Sequence, residues 1–319
     1  MKARAALGRL ARTFRTALSA ERPAILMYHR VADLDHDPWD LAVPPALFAA
    51  QLQVLSATRS VVPLSWLVRR LVEERPAHRM VAITFDDGYV DVLDTAKPLL
   101  EQHDCPATMF LPPDFVGSAA GFWWDTLARL FLATPDLPTL LELDAAGERR
   151  SWHLPGTSRR IVHDEVWALL KSMNPEQRRR ALARLIDWAG LPGEAPARDR
   201  CMSLLQLQAF SRPDHLDIGA HTMSHPSLSQ LNATDQESEM LRSRQWISEH
   251  LGIDPVGLAY PYGDYNRDSM AAAAATGFPF ACTTRAGAIR PGDAPYALPR
   301  LAIGRLEAGA FERLLAGHA

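Results

Sequence analysis

Short apolar runs recur along the chain and indicate buried β-strands. Each run has five or six residues and is mostly continuous rather than alternating with polar residues. This pattern is typical of parallel strands that are covered on both faces. The predicted strands are residues 24–29, 80–85, 107–111, 216–221, 257–262, 280–284 and 301–305.

Helical periodicity fills most of the intervals between these runs. Thr234 and Glu237 have the spacing of a capping box, which would start the helix after residue 233. Strands that alternate with helices predict an α/β fold with a parallel sheet, either open or closed into a barrel. The helical segments are residues 45–57, 64–74, 91–103, 233–250 and 266–276.

One region breaks the alternation. From about residue 117 to residue 200 the pattern is helical and polar, with Trp123 and Trp124 near its start. Turn-forming Pro-Gly pairs interrupt it twice. We interpret this region as a helical insertion between two core strands rather than as a second domain. The aromatic pair is a candidate for substrate binding by stacking on a ring of the ligand, although packing inside the protein is the simpler role.

Composition narrows the classes of protein. The chain has 319 residues, 47% hydrophobic and 22% charged, as in ordinary globular proteins. A net charge of -3 gives no indication of nucleic-acid binding. The three cysteines are far apart and odd in number, so they cannot form a complete disulfide framework, and burial as small apolar residues is expected.

Residues 1–22 have the pattern of a basic amphipathic segment, and residues 23–319 are predicted to be one domain that contains the insertion. Leucine and phenylalanine recur there at helical spacing opposite several arginines. The segment lacks the apolar region of a secretory signal, and no stretch is long enough to span a membrane. We therefore expect a cytoplasmic protein. Residues 1–20 either contact the inner membrane face peripherally or pack as a helix on the domain.

Chemistry concentrates at the predicted strand ends. Asp86 and Asp87 follow one strand, and His221 and His225 follow another. His29 and Tyr262 also lie at strand ends. Functional residues of parallel α/β sheets gather at the carboxyl ends of the strands. We therefore expect all of these positions to converge on one face.

Histidine and carboxylate ligands suit a divalent metal, most readily Zn²⁺, with Co²⁺, Ni²⁺ or Mn²⁺ as alternatives. Three protein ligands leave room for a water, whose pKa the metal lowers toward about 7. One of the adjacent aspartates can bind the metal while the other accepts a proton from that water. Each motif has a plainer explanation on its own, because Asp-Asp-Gly is a common turn and His-x-x-x-His also occurs without metal. Together they favour a metal-dependent hydrolase.

Three segments resemble the first three motifs of the NodB-type polysaccharide deacetylases, carbohydrate esterase family four. They are residues 84–89 (TFDDGY), 221–225 (HTMSH) and 259–263 (AYPYG). The resemblance runs from about Pro23 to Leu306, with the insertion unmatched. It implies a distorted, incomplete (β/α) barrel of about seven parallel strands.

The resemblance also implies roles for single residues. Asp86 is then the catalytic base, and Asp87, His221 and His225 bind the metal. The backbone N–H of Tyr262 helps to hold the oxyanion, a role that preorganised donors perform well.

The chain departs from the family pattern at two places. Many members have an arginine that orients the base where Ala259 stands here, and Arg300 is a candidate to replace it. Members also commonly have a late histidine as general acid, whereas this C-terminal region has only His318. Met27-Tyr28-His29 resembles a segment of circularly permuted members, in which an N-terminal histidine replaces the late one. His29 is thus the candidate acid, suited to protonating a leaving amine.

The expected activity is metal-dependent removal of an N-acetyl or other small N-acyl group from an amino sugar. The sugar would belong to a polysaccharide, an oligosaccharide or a lipid-linked glycan. Two alternatives stay open: a catalytically idle carbohydrate-binding protein on the same scaffold, supported by the missing arginine, and a hydrolase of another small amide.

Overall fold

Twelve β-strands define the frame of the protein in a computed structural model that describes residues 22–145, 148–211 and 216–317. They are β1 (Ala24–Tyr28), β2 (Arg30–Val31), β3 (Ala42–Val43), β4 (Ser60–Val61), β5 (Met80–Asp86), β6 (Ala107–Leu111), β7 (Leu140–Ala145), β8 (Glu148–His153), β9 (Leu216–Ala220), β10 (Leu258–Ala259), β11 (Ala281–Ala286) and β12 (Leu298–Ala302).

Seven of these strands close into a parallel ring in the order β1-β12-β11-β10-β9-β6-β5. Closure occurs because β1 pairs with β12 on one side and with β5 on the other. The ring is irregular, since β10 has only two residues and the β11–β12 register shifts between Cys282 and Ala286. β4 adds an eighth strand beside β5. The predicted distorted barrel of about seven parallel strands is confirmed.

Ten α-helices accompany the strands within the described residues. They are α1 (Pro45–Thr58), α2 (Leu64–Val72), α3 (Lys97–Gln102), α4 (Trp123–Ala128), α5 (Arg159–Lys171), α6 (Pro175–Ala189), α7 (Leu204–Phe210), α8 (Ala233–Leu251), α9 (Arg267–Ala275) and α10 (Ala308–Gly317). Single turns of π-helix span Val92–Ala96 and Arg129–Ala133, and 3-10 turns span Pro113–Phe115, Ala197–Asp199, Leu228–Gln230, Pro261–Gly263 and Pro295–Ala297.

Alternation along the strands separates two cores. In β1, Leu26 and Tyr28 pack with Phe48 of α1 in the layer between the ring and the helices. Ile25 points the other way and clusters with Ala82 and residues of the other strands inside the ring. Because neighbouring strand residues face opposite sides, every second residue faces the ring interior. This arrangement lets a few polar side chains enter the interior at the carboxyl ends.

Several predicted boundaries are wrong. The strand predicted at residues 257–262 is only Leu258–Ala259, because the chain turns into a 3-10 helix at Pro261. The strand predicted at 301–305 is Leu298–Ala302, so it includes Arg300. The cap of α8 is Asn232, which accepts a hydrogen bond from the Asp235 N–H, and not the Thr234–Glu237 capping box.

The insertion lies between β6 and β9, which are neighbours in the ring. It is not wholly helical as predicted, because β7 and β8 form an antiparallel hairpin. Buried Arg30 fixes its return to the ring: Nε donates to Asp91 at 2.8 Å and Nη1 donates to Asp199 at 3.0 Å. Within the insertion, α4 and α5 lie over the carboxyl ends of the strands, where Trp124, Trp167 and Lys171 line a cavity.

Residues 1–20, for which membrane contact and packing on the domain both stay open, lie outside the described residues, and so does His318. Across the part of the chain that is described, no helix is long and apolar enough to cross a bilayer. Cytoplasmic location, membrane contact and the boundary at residue 22 stay predictions. The three cysteines are all buried and unpaired, as expected.

Candidate active site

A cavity of about 290 Å³ opens at the carboxyl ends of the strands. Its wall combines residues of the ring with residues of the insertion. The lining residues are Met27, His29, Trp39, Leu41, Asp86, Asp87, Trp124, Trp167, Lys171, His221, His225, Tyr262 and Thr284.

The two aspartates both face this cavity because the backbone changes direction between them. Asp86 is the last residue of β5, whereas Asp87 has a φ of 72°, in the left-handed region that few residues other than glycine adopt. Gly88 continues the turn at a φ of 74°, and a Cβ there would lie 2.6 Å from Leu111 Cδ1. The turn therefore brings together two carboxylates that a regular strand would separate, at some cost in backbone strain.

The histidine segment leaves β9 with its orientation already set. His221 Nδ1 lies 2.8 Å from the Ala259 carbonyl oxygen, and the carbonyl can only accept, so Nδ1 carries the proton and Nε2 is free to bind a metal. Burial lowers the pKa of His221 to about 4 despite the nearby aspartates, which keeps the imidazole neutral.

Glu239 of α8 holds the loop between the two histidines. Its carboxylate accepts hydrogen bonds from the Met223 N–H at 3.0 Å and from the Ser224 N–H at 2.8 Å. The Ser224 hydroxyl donates to the other oxygen. This contact could not be predicted from the sequence, because acidic residues are common on the polar faces of helices.

Asp87, His221 and His225 converge on one point. Asp87 Oδ1 lies 3.6 Å from His221 Nε2 and 3.2 Å from His225 Nε2, and the three ligand atoms are mutually within 4.8 Å. All three residues are buried, and Asp87 Oδ1 has no hydrogen-bond partner among the described residues. A buried carboxylate oxygen without a donor is costly unless a cation compensates it. Two nitrogens and one carboxylate oxygen fit a divalent ion such as Zn²⁺ that keeps an open position.

Arg300 binds Asp86 through both arms of its guanidinium. Nη1 donates to Oδ1 at 2.8 Å and Nη2 donates to Oδ2 at 2.7 Å, and both side chains are buried. Thr84 and the Thr283 carbonyl accept further hydrogen bonds from the same guanidinium. Burial alone would raise the pKa of Asp86, but Arg300, with help from His221 and His29, holds it well below its usual range. The carboxylate is therefore ionised and fixed in orientation.

His29 and Tyr262 complete the ring-derived wall. His29 Nε2 lies 4.0 Å from Asp86 Oδ2, and its side chain is 19% exposed, so it can reach both Asp86 and a ligand. Tyr262 has a φ of 59° in the 3-10 turn after β10, and its ring lies 4.6 Å from the His225 ring. Tyr262 thus lines the cavity with a backbone in the left-handed region, in keeping with strain at functional sites.

The insertion contributes Trp124 but not Trp123 to the cavity wall. The Trp124 ring lies 4.9 Å from the His225 ring, and Trp124 Nε1 donates to the Tyr89 hydroxyl. Trp123 lies behind Trp124, buried against Trp167. Trp124 therefore packs against His225, one of the candidate metal-binding residues, and is not a free-standing side chain.

Sequence reasoning missed the aromatic and charged lining residues Trp39, Trp167 and Lys171. Trp167 and Lys171 are on α5, and Trp39 is in the loop before β3; the Trp39 and Trp167 rings lie 4.4 Å apart. In the sequence, Trp167 and Lys171 look like ordinary positions of an amphipathic helix. Their one distinguishing signal is the spacing of four residues, which puts both on the same helix face.

Comparisons with known proteins show that the chain is similar in sequence and fold to polysaccharide deacetylases. A sequence model of the family described as polysaccharide deacetylase matches residues 73–136 and 206–281. YxkH of Bacillus subtilis (strain 168), provisionally named a polysaccharide deacetylase, is 22% identical over 291 residues, which cover 90% of this chain and 74% of that protein.

Two solved structures are similar in fold. The deacetylase PplD of Streptococcus pyogenes, solved in complex with acetate, has 20% identity and a TM-score of 0.60, covering 92% of this chain and 98% of that one. IcaB of Ammonifex degensii has 19% identity and a TM-score of 0.60, covering 93% and 97%. The predicted resemblance to polysaccharide deacetylases is confirmed, whereas membership of the circularly permuted subgroup stays a prediction.

Proposed function

We propose that this chain, which carries a polysaccharide deacetylase domain, is a metal-dependent hydrolase of N-acyl amino sugars. The main support for the proposal is that one cavity contains both the fixed Asp86 carboxylate and three residues with the geometry of a metal site. Arg300 holds Asp86 through two hydrogen bonds, and Asp87, His221 and His225 are the residues that would bind the metal. The acyl group that is removed is preferably acetyl. The amino sugar belongs to a polysaccharide, an oligosaccharide or a lipid-linked glycan.

The side chains divide the reaction among themselves. Asp86 accepts a proton from the attacking water, whose oxygen bonds to the acyl carbon. The backbone N–H of Tyr262 donates to the oxyanion that develops on the acyl oxygen. His29 gives its proton to the sugar nitrogen as the carbon–nitrogen bond breaks, so the products are a free amine and a carboxylic acid. A divalent ion on the triad supplies Lewis acidity to the carbonyl and the water.

The structure weakens the support for the alternative, a catalytically idle carbohydrate-binding protein. That interpretation depended on the absence of an arginine at position 259. Arg300 supplies a guanidinium in contact with both oxygens of Asp86 from another strand of the ring. This contact supports Arg300 as the replacement for the arginine that is missing at position 259.

Acetate release tests the proposal directly. The protein, stripped of metal and reloaded with Zn²⁺, should release acetate and free amine in equal amounts from at least one N-acetylated sugar. The panel contains chitooligosaccharides, anionic N-acetyl sugars and a small cyclic amide. The metal-stripped protein serves as the control. If only the cyclic amide is hydrolysed, the substrate is another small amide and not an N-acyl amino sugar. If no compound is hydrolysed, the proposal is contradicted.

Replacing His29 with glutamine should slow hydrolysis mainly for substrates whose leaving group must be protonated. Loss of a general acid lowers turnover of the N-acetyl amide by about 10²- to 10⁴-fold. Hydrolysis of 4-nitrophenyl acetate should change far less, because its phenolate leaves without protonation. The ratio of the two rates measures the effect, and His36→Gln, at an exposed histidine, is the matched control. Equal losses on both substrates would instead assign His29 a structural or binding role.

A further inference from the structure

The wall that the insertion gives to the cavity is cationic as well as aromatic. Lys171, the last residue of α5, lines the cavity. Its Nζ lies 5.0 Å from the Trp167 ring centre and 4.5 Å from the Tyr262 ring centre. Aromatic faces stabilise an ammonium but accept none of its three N–H donors in a strong hydrogen bond. In the part of the chain that the structure describes, no carboxylate forms an ion pair with Lys171.

A second cation stands behind Tyr262. Arg178 of α6 is 5% exposed, its Nη1 has no hydrogen-bond partner among the described residues, and its guanidinium lies 5.4 Å from the Trp123 ring. Burial lowers the pKa of Arg178, while Tyr262 and Glu239 raise it. Glu239 already accepts three hydrogen bonds from the histidine loop. Arg178 therefore adds positive charge behind the part of the wall that Lys171 lines.

The nearby carboxylates are committed elsewhere. Asp86 binds Arg300 through both oxygens, and Asp87 faces the two histidines. Asp264 acts on Lys171 only at a distance and accepts hydrogen bonds from the N–H and hydroxyl of Ser229. A half-buried ammonium without a counterion gains most from an anion that enters with a ligand.

We propose that Lys171 makes the site selective for an amino sugar that carries an anionic group, a phosphate ester or a carboxylate. This inference rests on the proposed function and narrows its substrate class. The cavity of about 290 Å³ is at the small end of the usual range for ligand pockets, about 300–1,000 Å³. The anion therefore lies on the reacting sugar or on the group directly joined to it.

Lys171→Met tests the proposal, because it keeps an unbranched stem of similar size and removes the charge. The substrates are neutral diacetylchitobiose, N-acetylglucosamine 1-phosphate and a disaccharide that joins N-acetylglucosamine to a uronic acid. A charge-assisted hydrogen bond predicts that KM for an anionic substrate rises about tenfold while kcat changes less than about twofold. KM for the neutral substrate should not change.

Two further variants control the charge effect. Lys171→Arg keeps the cation and should keep the low KM for the anionic substrate. Lys97→Met removes a lysine that pairs with Glu101 outside the cavity and should behave as wild type. A KM effect confined to the phosphate ester or to the uronic acid identifies which anion is recognised. An unchanged KM for both, or an equal rise for the neutral sugar, overturns the proposal.

Direct binding separates this proposal from the proposed function. Glucose 1-phosphate, glucuronic acid and methyl glucoside carry no amide, and their binding to the metal-loaded protein can be followed through the cavity tryptophans. The anionic sugars should bind more tightly than methyl glucoside, and Lys171→Met should remove the difference. Binding that ignores Lys171 counts against the anion site even if acetate is released. Lys171-dependent binding without hydrolysis of any substrate contradicts the hydrolase and leaves the anion site standing.

Discussion

Replacing Asp86 with asparagine should lower the rate of N-acyl hydrolysis by about 10²- to 10⁴-fold, the usual contribution of a general base. Asparagine has nearly the same shape but cannot accept a proton from water. Metal content should stay at the wild-type level, because the ligand triad consists of Asp87, His221 and His225. Acetate release and bound metal, measured on the same sample, report the two outcomes separately.

The depressed pKa of Asp86 is consistent with this role. A carboxylate that Arg300 holds through two short hydrogen bonds is a weak base, and its lowered pKa keeps it ionised at neutral pH. A weak base suffices where the neighbouring triad is suited to acidify water. The arginine thus exchanges basicity for a fixed orientation, and orientation is a large part of catalysis in a closed site.

Arg300→Met provides the paired measurement. It keeps the carboxylate and removes what orients it, so kcat should fall while KM and metal content stay close to wild type. Arg300→Lys should recover only part of kcat, because an ammonium cannot form the two parallel hydrogen bonds. Removing one partner of a buried ion pair costs about 3–5 kcal/mol, so each variant is assayed below its own Tm. Two results for the Asp86→Asn protein would contradict the assignment of Asp86. Turnover at the wild-type rate would mean that another residue is the general base. Loss of bound metal would mean that Asp86 is itself a metal ligand.

The convergence of Asp87, His221 and His225 could be predicted from sequence because these residues follow strands. A buried run that ends in Asp86-Asp87, and another that ends at His221, both place polar groups at the carboxyl edge of a parallel sheet. The ring closure through β1 could not be derived from periodicity, since open and closed sheets share the same alternation. What joins His29 to this site is that closure, which sets β1 directly beside β5.

Arg300 could be named from sequence but not placed. The predicted last strand began after it, where an arginine would be exposed, whereas in β12 it faces the ring interior. A difference of a few residues in the strand boundary therefore separates a surface charge from the partner of Asp86. Lys171 and Trp167 show a different limit. Only the path of the insertion over the strand ends brings α5 to the cavity, and no local pattern encodes that path.

Replacing His221 with alanine should remove metal and activity together. The substitution deletes one of two nitrogen ligands and leaves Asp87 Oδ1 facing a single histidine. Loss of an outer-sphere partner already weakens metal binding about 10- to 100-fold, so loss of a direct ligand should cost more than about 100-fold in affinity. Equilibrium dialysis against buffered Zn²⁺, with acetate release measured at each free-metal concentration, gives both quantities.

The two readouts should follow one curve if the metal is required. Activity of His221→Ala protein should rise only where bound metal rises, at free Zn²⁺ far above the wild-type midpoint. His250→Ala is the matched control, since His250 is an exposed histidine that stacks on Trp246 of α8. Full metal occupancy without activity would give His221 a role in the chemistry rather than in ligation. Activity that persists without bound metal would remove the metal from the mechanism and leave Asp86, Arg300 and His29 to account for hydrolysis alone.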